Sequence, residues 1–116
     1  MVTPLTVVTG GGRGIGAAIC ARLAAQGHDL VIGYHSKQDA ADTVAAQVSA
    51  AGRRALVVQV ETSDAASVDR FFDAADGFGG VTGFVNNAAM SGPVGDLADA
   101  DVDGLRRAVE VNFLGY

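Results

Sequence analysis

Five glycines fall within seven residues, at Gly10, Gly11, Gly12, Gly14 and Gly16, between a short β-branched run and an alanine-rich segment. Glycine loses more conformational freedom on folding than any other residue, so a cluster this dense is costly unless the backbone must approach something closely. The run before it, Leu5 to Thr9 (LTVVT), has the composition of a strand. The segment after it carries Ile15, Ile19 and Leu23 at i+4 spacing and ends at Gly27, where a helix C-terminus favours glycine. A strand that enters a helix through a glycine turn aims backbone N–H groups and the positive end of the helix dipole at one place. That arrangement suits a pyrophosphate.

The same alternation repeats along the chain. Leu30 to Tyr34 reads as a second strand, and Ala40 to Ala51 as a helix with Val44 and Val48 on one face before Gly52. Ala55 to Val60 reads as a third strand, followed by an N-cap at Ser63 or Asp64 and a helix presenting Val68, Phe71 and Phe72, broken at Gly77 to Gly80. Val81 to Asn86 reads as a fourth strand, with a loop containing Gly92 and Pro93 before a last helix that starts near Asp101. Strands alternating with helices imply an α/β class, here a Rossmann-type doubly wound parallel sheet in the order 3-2-1-4. Residues 1–116 are expected to form one nucleotide-binding domain. The last helix still holds Leu105, Val109 and Phe113 in apolar register near Tyr116, so the chain reads as an N-terminal half truncated within that helix. Strand four is then expected to be an exposed apolar edge.

Composition narrows the partners. At 49% hydrophobic and 18% charged residues, with two prolines, the chain is expected to build a packed core. A net charge of -5 and a single lysine, Lys37, argue against a nucleic-acid ligand, which needs clustered basic residues. No signal peptide or membrane span is expected, and the lone Cys20 gives no disulfide, so a cytoplasmic location is the expectation. Cys20 reads as a small buried residue and His28 as a surface residue at a helix end. Asp96, Asp99, Asp101 and Asp103 lack an accompanying Cys or His, and their spacing fits a solvated helix start better than a metal site.

The glycines alone leave the register open, because Gly12, Gly14 and Ala17 also satisfy G-x-G-x-x-A. Thr9 to Gly16 (TGGGRGIG), however, resembles the T-G-x-x-x-G-x-G loop of the short-chain dehydrogenase/reductase family. Asn86-Asn87-Ala88-Ala89 resembles that family's N-N-A-G motif, and Asn112, in Val111-Asn112-Phe113-Leu114-Gly115, matches an asparagine on the helix after strand four. The resemblance covers essentially the whole chain. It implies cofactor binding by Thr9, Gly10, Gly12, Arg13, Gly14, Ile15 and Gly16 of the loop, by Tyr34, His35 and Ser36 after strand two, and by Glu61, Asn87 and Ala88. Asn86 reads as structural, and Ala89 adds a methyl group where the motif has glycine.

Dinucleotide folds that take NAD usually end strand two in a carboxylate that holds the ribose 2'-hydroxyl. Tyr34 stands there, followed by His35, Ser36 and Lys37, so a 2'-phosphate meets donors and no repelling acid. NADP(H) is therefore expected over NAD(H), and the resemblance gives Arg13 a part in holding the same phosphate. Glu61 occupies the position of a family acid that contacts the adenine amino group; it equally suits an extended cap of the helix beginning near Ser63.

In the resembling family a tyrosine acts as general acid, a lysine four residues later lowers its pKa, a serine positions the substrate and the helix asparagine completes a proton relay. Only Asn112 matches; neither Tyr34 nor Tyr116 has a lysine four residues on. A phenol with its ordinary pKa of about 10 is a poor acid at neutral pH without a cation beside it, so these residues alone are expected to be inactive. The expected parent is an NADP(H)-dependent oxidoreductase, a homo-oligomer when complete, acting on a small-molecule carbonyl or secondary alcohol such as a ketone, a sugar or a ketoacyl thioester. The alternative is a non-catalytic nucleotide-binding module or gene remnant that associates with a related dehydrogenase. A fold of this kind also takes S-adenosylmethionine in other settings.

Overall fold

The computed structural model describes residues 3–90 and 95–115. The expected loop residues Gly92 and Pro93, and Tyr116, lie outside that range. Four strands, β1 (Leu5–Thr9), β2 (Asp29–Tyr34), β3 (Ala55–Gln59) and β4 (Gly83–Val85), form one parallel sheet in the order β3-β2-β1-β4. Between and after them run α1 (Gly14–Ala25), α2 (Gln38–Ala50), α3 (Ala65–Phe78) and α4 (Val102–Val109). A 3-10 turn at Leu97–Asp99 precedes α4, and a turn of π-helix at Glu110–Leu114 follows it. The doubly wound α/β order expected from the alternation is the observed one.

Side chains alternate across the two faces of the central strands, and helices cover both faces, which is why β1 and β2 are buried almost without interruption. Val8, Leu30 and Ile32 meet Cys20 and Ala24 of α1 and Ala41, Val44 and Val48 of α2 on one face. Leu5, Val7 and Val31 meet Phe71 and Ala75 of α3 on the other. Phe71 packs close over residue 33 because that residue is glycine; a β-carbon there would stand 3.2 Å from the ring and 3.1 Å from Val60.

Local patterning misjudges four places. The buried stripe of α1 is Gly16, Cys20 and Ala24, whereas Ile15 is 75% exposed. Small residues let α1 approach the sheet, and that close approach outweighs the area a larger side chain would bury. α3 runs through Gly77 and stops at Gly79, since glycine inside a helix costs only about 1 kcal/mol and Phe78 gains a partner in Arg54. β4 is shorter than Val81 to Asn86: at its start the Thr82 N–H still donates to the Leu5 carbonyl at 2.8 Å, but the Leu5 N–H goes to the Thr82 hydroxyl at 3.0 Å, and at its end the Asn87 N–H goes to the Thr9 hydroxyl. His28 is half-buried, with Nδ1 2.8 Å from the Thr6 hydroxyl. Phe84 of β4 is 48% exposed on a strand that pairs only with β1 among the described residues, as expected for an apolar edge. Among the described residues no helix is long and apolar enough to cross a membrane.

The N-terminal ends of the strands are closed by a buried charge. Asp29, at the start of β2, accepts from Arg53 Nε at 3.0 Å, the Arg54 N–H at 2.9 Å and Arg54 Nε at 3.2 Å. The Arg54 guanidinium also lies 4.3 Å over the Phe78 ring and donates to the Phe78 carbonyl. Burial pushes the Asp29 carboxyl up, but the Arg54 N–H and the two guanidinium groups outweigh it and hold the carboxyl below the usual range. A depressed folded-state pKa contributes stability above the unfolded value of about 4 that is lost as pH falls through the folded value. Asp29→Ala is therefore expected to lower the unfolding free energy at pH 7 by about 1–3 kcal/mol. The variant should also lose less stability than the parent as pH falls below about 4, a difference that urea titrations at decreasing pH will reveal.

Candidate functional site

At the opposite end of the sheet the glycine loop leaves β1 and turns into α1. Gly10 and Gly14 have φ values of +65° and +57°, in the left-handed region that favours glycine. A β-carbon at residue 16 would fall 2.1 Å from the Gly10 carbonyl oxygen, so only glycine lets α1 begin this close to β1. Gly14 faces open space, with nothing within 4 Å of its own would-be β-carbon. The four helix starts differ. α3 and α4 are capped by Asp64 and Asp101, whose carboxylates accept from first-turn N–H groups. At the starts of α1 and α2, Arg13 and Lys37 supply no side-chain acceptor. Both uncapped starts border one cavity, so uncapped N–H groups and two positive dipole ends face it.

That cavity has a volume of about 660 Å³. Gly10, Gly12, Arg13, Gly14 and Ile15 line it from the loop, Tyr34, His35, Ser36 and Lys37 from the end of β2, and Glu61, Asn87 and Ala88 from the ends of β3 and β4. Residues spread over the chain thus converge on one cavity. Three expected site residues stand elsewhere. Gly16 is buried behind the loop for the steric reason just given. Thr9 is 4% exposed, and its hydroxyl accepts from the Asn87 and Ala88 N–H groups at 3.1 Å, stapling the end of β1 to the end of β4. Asn112, on the π turn, closes a pair of hydrogen bonds with one backbone unit: Oδ1 accepts from the Met90 N–H and Nδ2 donates to the Met90 carbonyl, both at 2.7 Å. It reaches the cavity wall only through Met90.

Asn87 faces the cavity and braces it. Its Nδ2 donates to the Thr9 and Gly10 carbonyls at 3.2 and 3.1 Å, fixing the mouth of the glycine loop. Glu61 sits at the centre of a charged cluster. Its Oε1 accepts from the Ser63 hydroxyl and N–H, which is the cap-like role, while Oε2 meets His35 Nε2 at 2.7 Å and Nη2 of Arg107. Burial pushes the Glu61 carboxyl up, but the Ser63 and Arg107 hydrogen bonds, with the nearby His35, bring it down to about 2. Arg107 and Val111 of the last helical segment also line the cavity. Nothing local in the sequence marks them, since the Arg107–Glu61 pair spans 46 positions. Cys20 is buried, and desolvation raises its thiol to about 11, so it is no nucleophile.

A family model described as short chain dehydrogenase matches residues 4–116. The chain is 37% identical over 111 residues to 3beta-hydroxysteroid dehydrogenase 1 of Eggerthella lenta, covering 94% of this chain and 42% of that protein. It is 39% identical over 112 residues to cis-4-hydroxycyclohexanecarboxylate dehydrogenase of Sinomonas cyclohexanicum, covering 96% and 44%. Among solved structures, a short chain dehydrogenase from Burkholderia cenocepacia in complex with NADP superposes with a TM-score of 0.88 at 39% identity, over 97% of this chain and 46% of that one. The chain thus spans less than half the length of the relatives it matches. Sheet order, glycine loop and sequence identity agree: the chain belongs to the short-chain dehydrogenase/reductase family and corresponds to the N-terminal half of its members.

Proposed function

We propose that the cavity is an NADP(H) site and that the chain is the cofactor-binding half of an oxidoreductase acting on a small-molecule carbonyl or secondary alcohol. The carrying observation is the chemistry around the end of β2. Tyr34 ends the strand where an acid would hold a ribose 2'-hydroxyl, and Arg13, Ser36 and Lys37 line the same cavity. Glu61, the one acid among the described lining residues, is matched by Arg107 and by His35. A 2'-phosphate is thus met by cations and a hydroxyl. The similar structure in complex with NADP supports the same cofactor. The names of the two similar dehydrogenases support a secondary alcohol or the matching ketone.

When bound, the nicotinamide cofactor supplies or accepts the hydride. The chain's own residues bind and orient it. The turn at Gly10, Gly12 and Gly14 and the uncapped start of α1 hold the pyrophosphate, Gly14 offering the open face on which the fit depends. Asn87 and Ala88 wall the ribose side while Asn87 keeps the loop in place. An asparagine amide has two donors and two acceptor sites. Asn112 spends one of each on Met90, and the remaining N–H and lone pair suit a proton relay through water in the complete protein. No Tyr-x-x-x-Lys occurs in these 116 residues, so they are assigned binding and not turnover.

Calorimetric titration is expected to show NADPH binding about tenfold or more tightly than NADH, with Arg13→Ala and Lys37→Ala each removing much of that gap; equal or tighter binding of NADH contradicts the assignment. Asn112→Ala is expected to lower the unfolding free energy by about 1–2 kcal/mol through the lost Met90 bonds. In the complete protein it should reduce kcat while keeping the Kd for NADPH within about threefold. Unchanged kcat would remove the relay role.

A further inference from the structure

We infer that Gly115 is a positioning residue for Asn112: together with Arg107 it docks the π turn on residues 61–63, and that docking decides where the Asn112 side chain stands. The inference rests on the relay reading above and adds which part of the fold holds the relay in place. Asn112 is exposed, as is the Met90 backbone unit that it grips through two bonds of 2.7 Å. A hydrogen bond open to water is a modest exchange of one partner for another. The pair therefore forms only where the turn is already held within reach of Met90.

Arg107, Val111 and Gly115 follow one another at i+4 spacing and form the docked stripe. Arg107 Nη2 donates to the Glu61 carboxylate and Nη1 to the Ser63 hydroxyl at 2.8 Å, so a charge-assisted pair fastens the upstream end. Val111, the one buried residue of α4 and the π turn, borders the cavity together with Val60 and Thr62. Gly115 closes the downstream end. Its φ of −71° is one that any residue adopts, so glycine is required there for space and not for conformation. A β-carbon would stand 3.0 Å from both the carbonyl and the hydroxyl oxygen of Thr62, and 2.7 Å from the Val111 carbonyl oxygen. Backbone oxygens cannot swing aside as the end of a flexible side chain does, so any larger residue lifts the turn off Thr62. The seat itself is tied down: the Glu61 N–H donates to the Ser67 hydroxyl at 2.8 Å and the Asp64 N–H to the Glu61 carbonyl at 3.0 Å. With the stripe seated on residues 61–63, the neighbouring Asn112 is presented to Met90, beyond the end of β4.

The test follows hydrogen exchange of the Met90 amide by NMR in the protein at its natural length, with Asn112→Ala marking the rate when the Asn112 bond is gone. Gly115→Ala is expected to speed that exchange by about threefold or more, towards the Asn112→Ala rate. Arg107→Met, which adds no atom that could clash, should move it in the same direction, and Arg107→Lys should return most of the protection; these two carry the test if Gly115→Ala does not fold. For reduction of cyclohexanone by NADPH, Gly115→Ala should lower kcat by about fivefold or more. Its KM for the ketone and Kd for NADPH should stay within about twofold, since Gly115 does not line the cavity. Parent-like Met90 exchange in both Gly115→Ala and Arg107→Met overturns the inference and leaves the nucleotide and relay readings standing. Faster exchange with unchanged kcat supports the docking and overturns the relay role on which its consequence for catalysis rests.

Discussion

The contact between residues 10 and 16 governs the rest of the structure. With the Gly10 carbonyl 2.1 Å from where any β-carbon at 16 would sit, α1 starts hard against the end of β1 and can do so only as glycine. That approach draws α1 onto the sheet along Cys20 and Ala24, small enough to follow it, and points its uncapped N-terminus at the space beyond the strand. It also leaves the Thr9 and Gly10 carbonyls turned towards β4, where Asn87 holds both. One steric requirement thereby sets the direction of a helix dipole, the shape of the loop and the docking of a strand end nearly eighty positions away.

Charge is divided between the two ends of the sheet according to what each end does. At the N-terminal ends of the strands, Asp29 is closed off by Arg53 and Arg54, and every buried side-chain polar atom among the described residues has a partner. Such closure stabilises and offers nothing to a ligand. At the C-terminal ends the helix starts of α1 and α2 lack side-chain caps, while α3 and α4 carry aspartate caps. Satisfying a helix start internally is worth about 1 kcal/mol, so the two left uncapped are the two that border the cavity. Glu61 stands between these modes: it lines the cavity, yet its charge is spent on holding β2, β3 and α4 in register.

Most of the fold is legible in local pattern. β1 and β3 begin where the runs LTVVT and ALVVQV begin, because short β-branched stretches suit a strand, whether buried throughout as in β1 or half-buried at the sheet edge as in β3. Asp64 and Asp101 fall at helix starts for the equally local reason that a short carboxylate reaches the N–H groups two and three residues on. Local pattern fails where packing decides. Ile15, Ile19 and Leu23 form a regular apolar stripe, yet the sheet takes the face of small residues and leaves Ile15 outside. Leu105, Val109 and Phe113 keep a helical register although all three are exposed, because α4 packs little against the described sheet.

By itself the sequence determined the α/β alternation and the glycine turn, since each depends on backbone freedom or periodicity within a few positions; the residues expected around the turn were implied by the family resemblance and by the charge after strand two. It also determined that no acid ends β2. Only the tertiary structure decided what Thr9, Glu61, Arg107 and Asn112 do. Their partners lie 78, 46 and 22 positions away, so the bonds exist only once the sheet order has brought those segments together. A side chain's chemistry is written in its own residue, whereas whether its donors and acceptors remain free for a ligand depends on which distant groups reach them first.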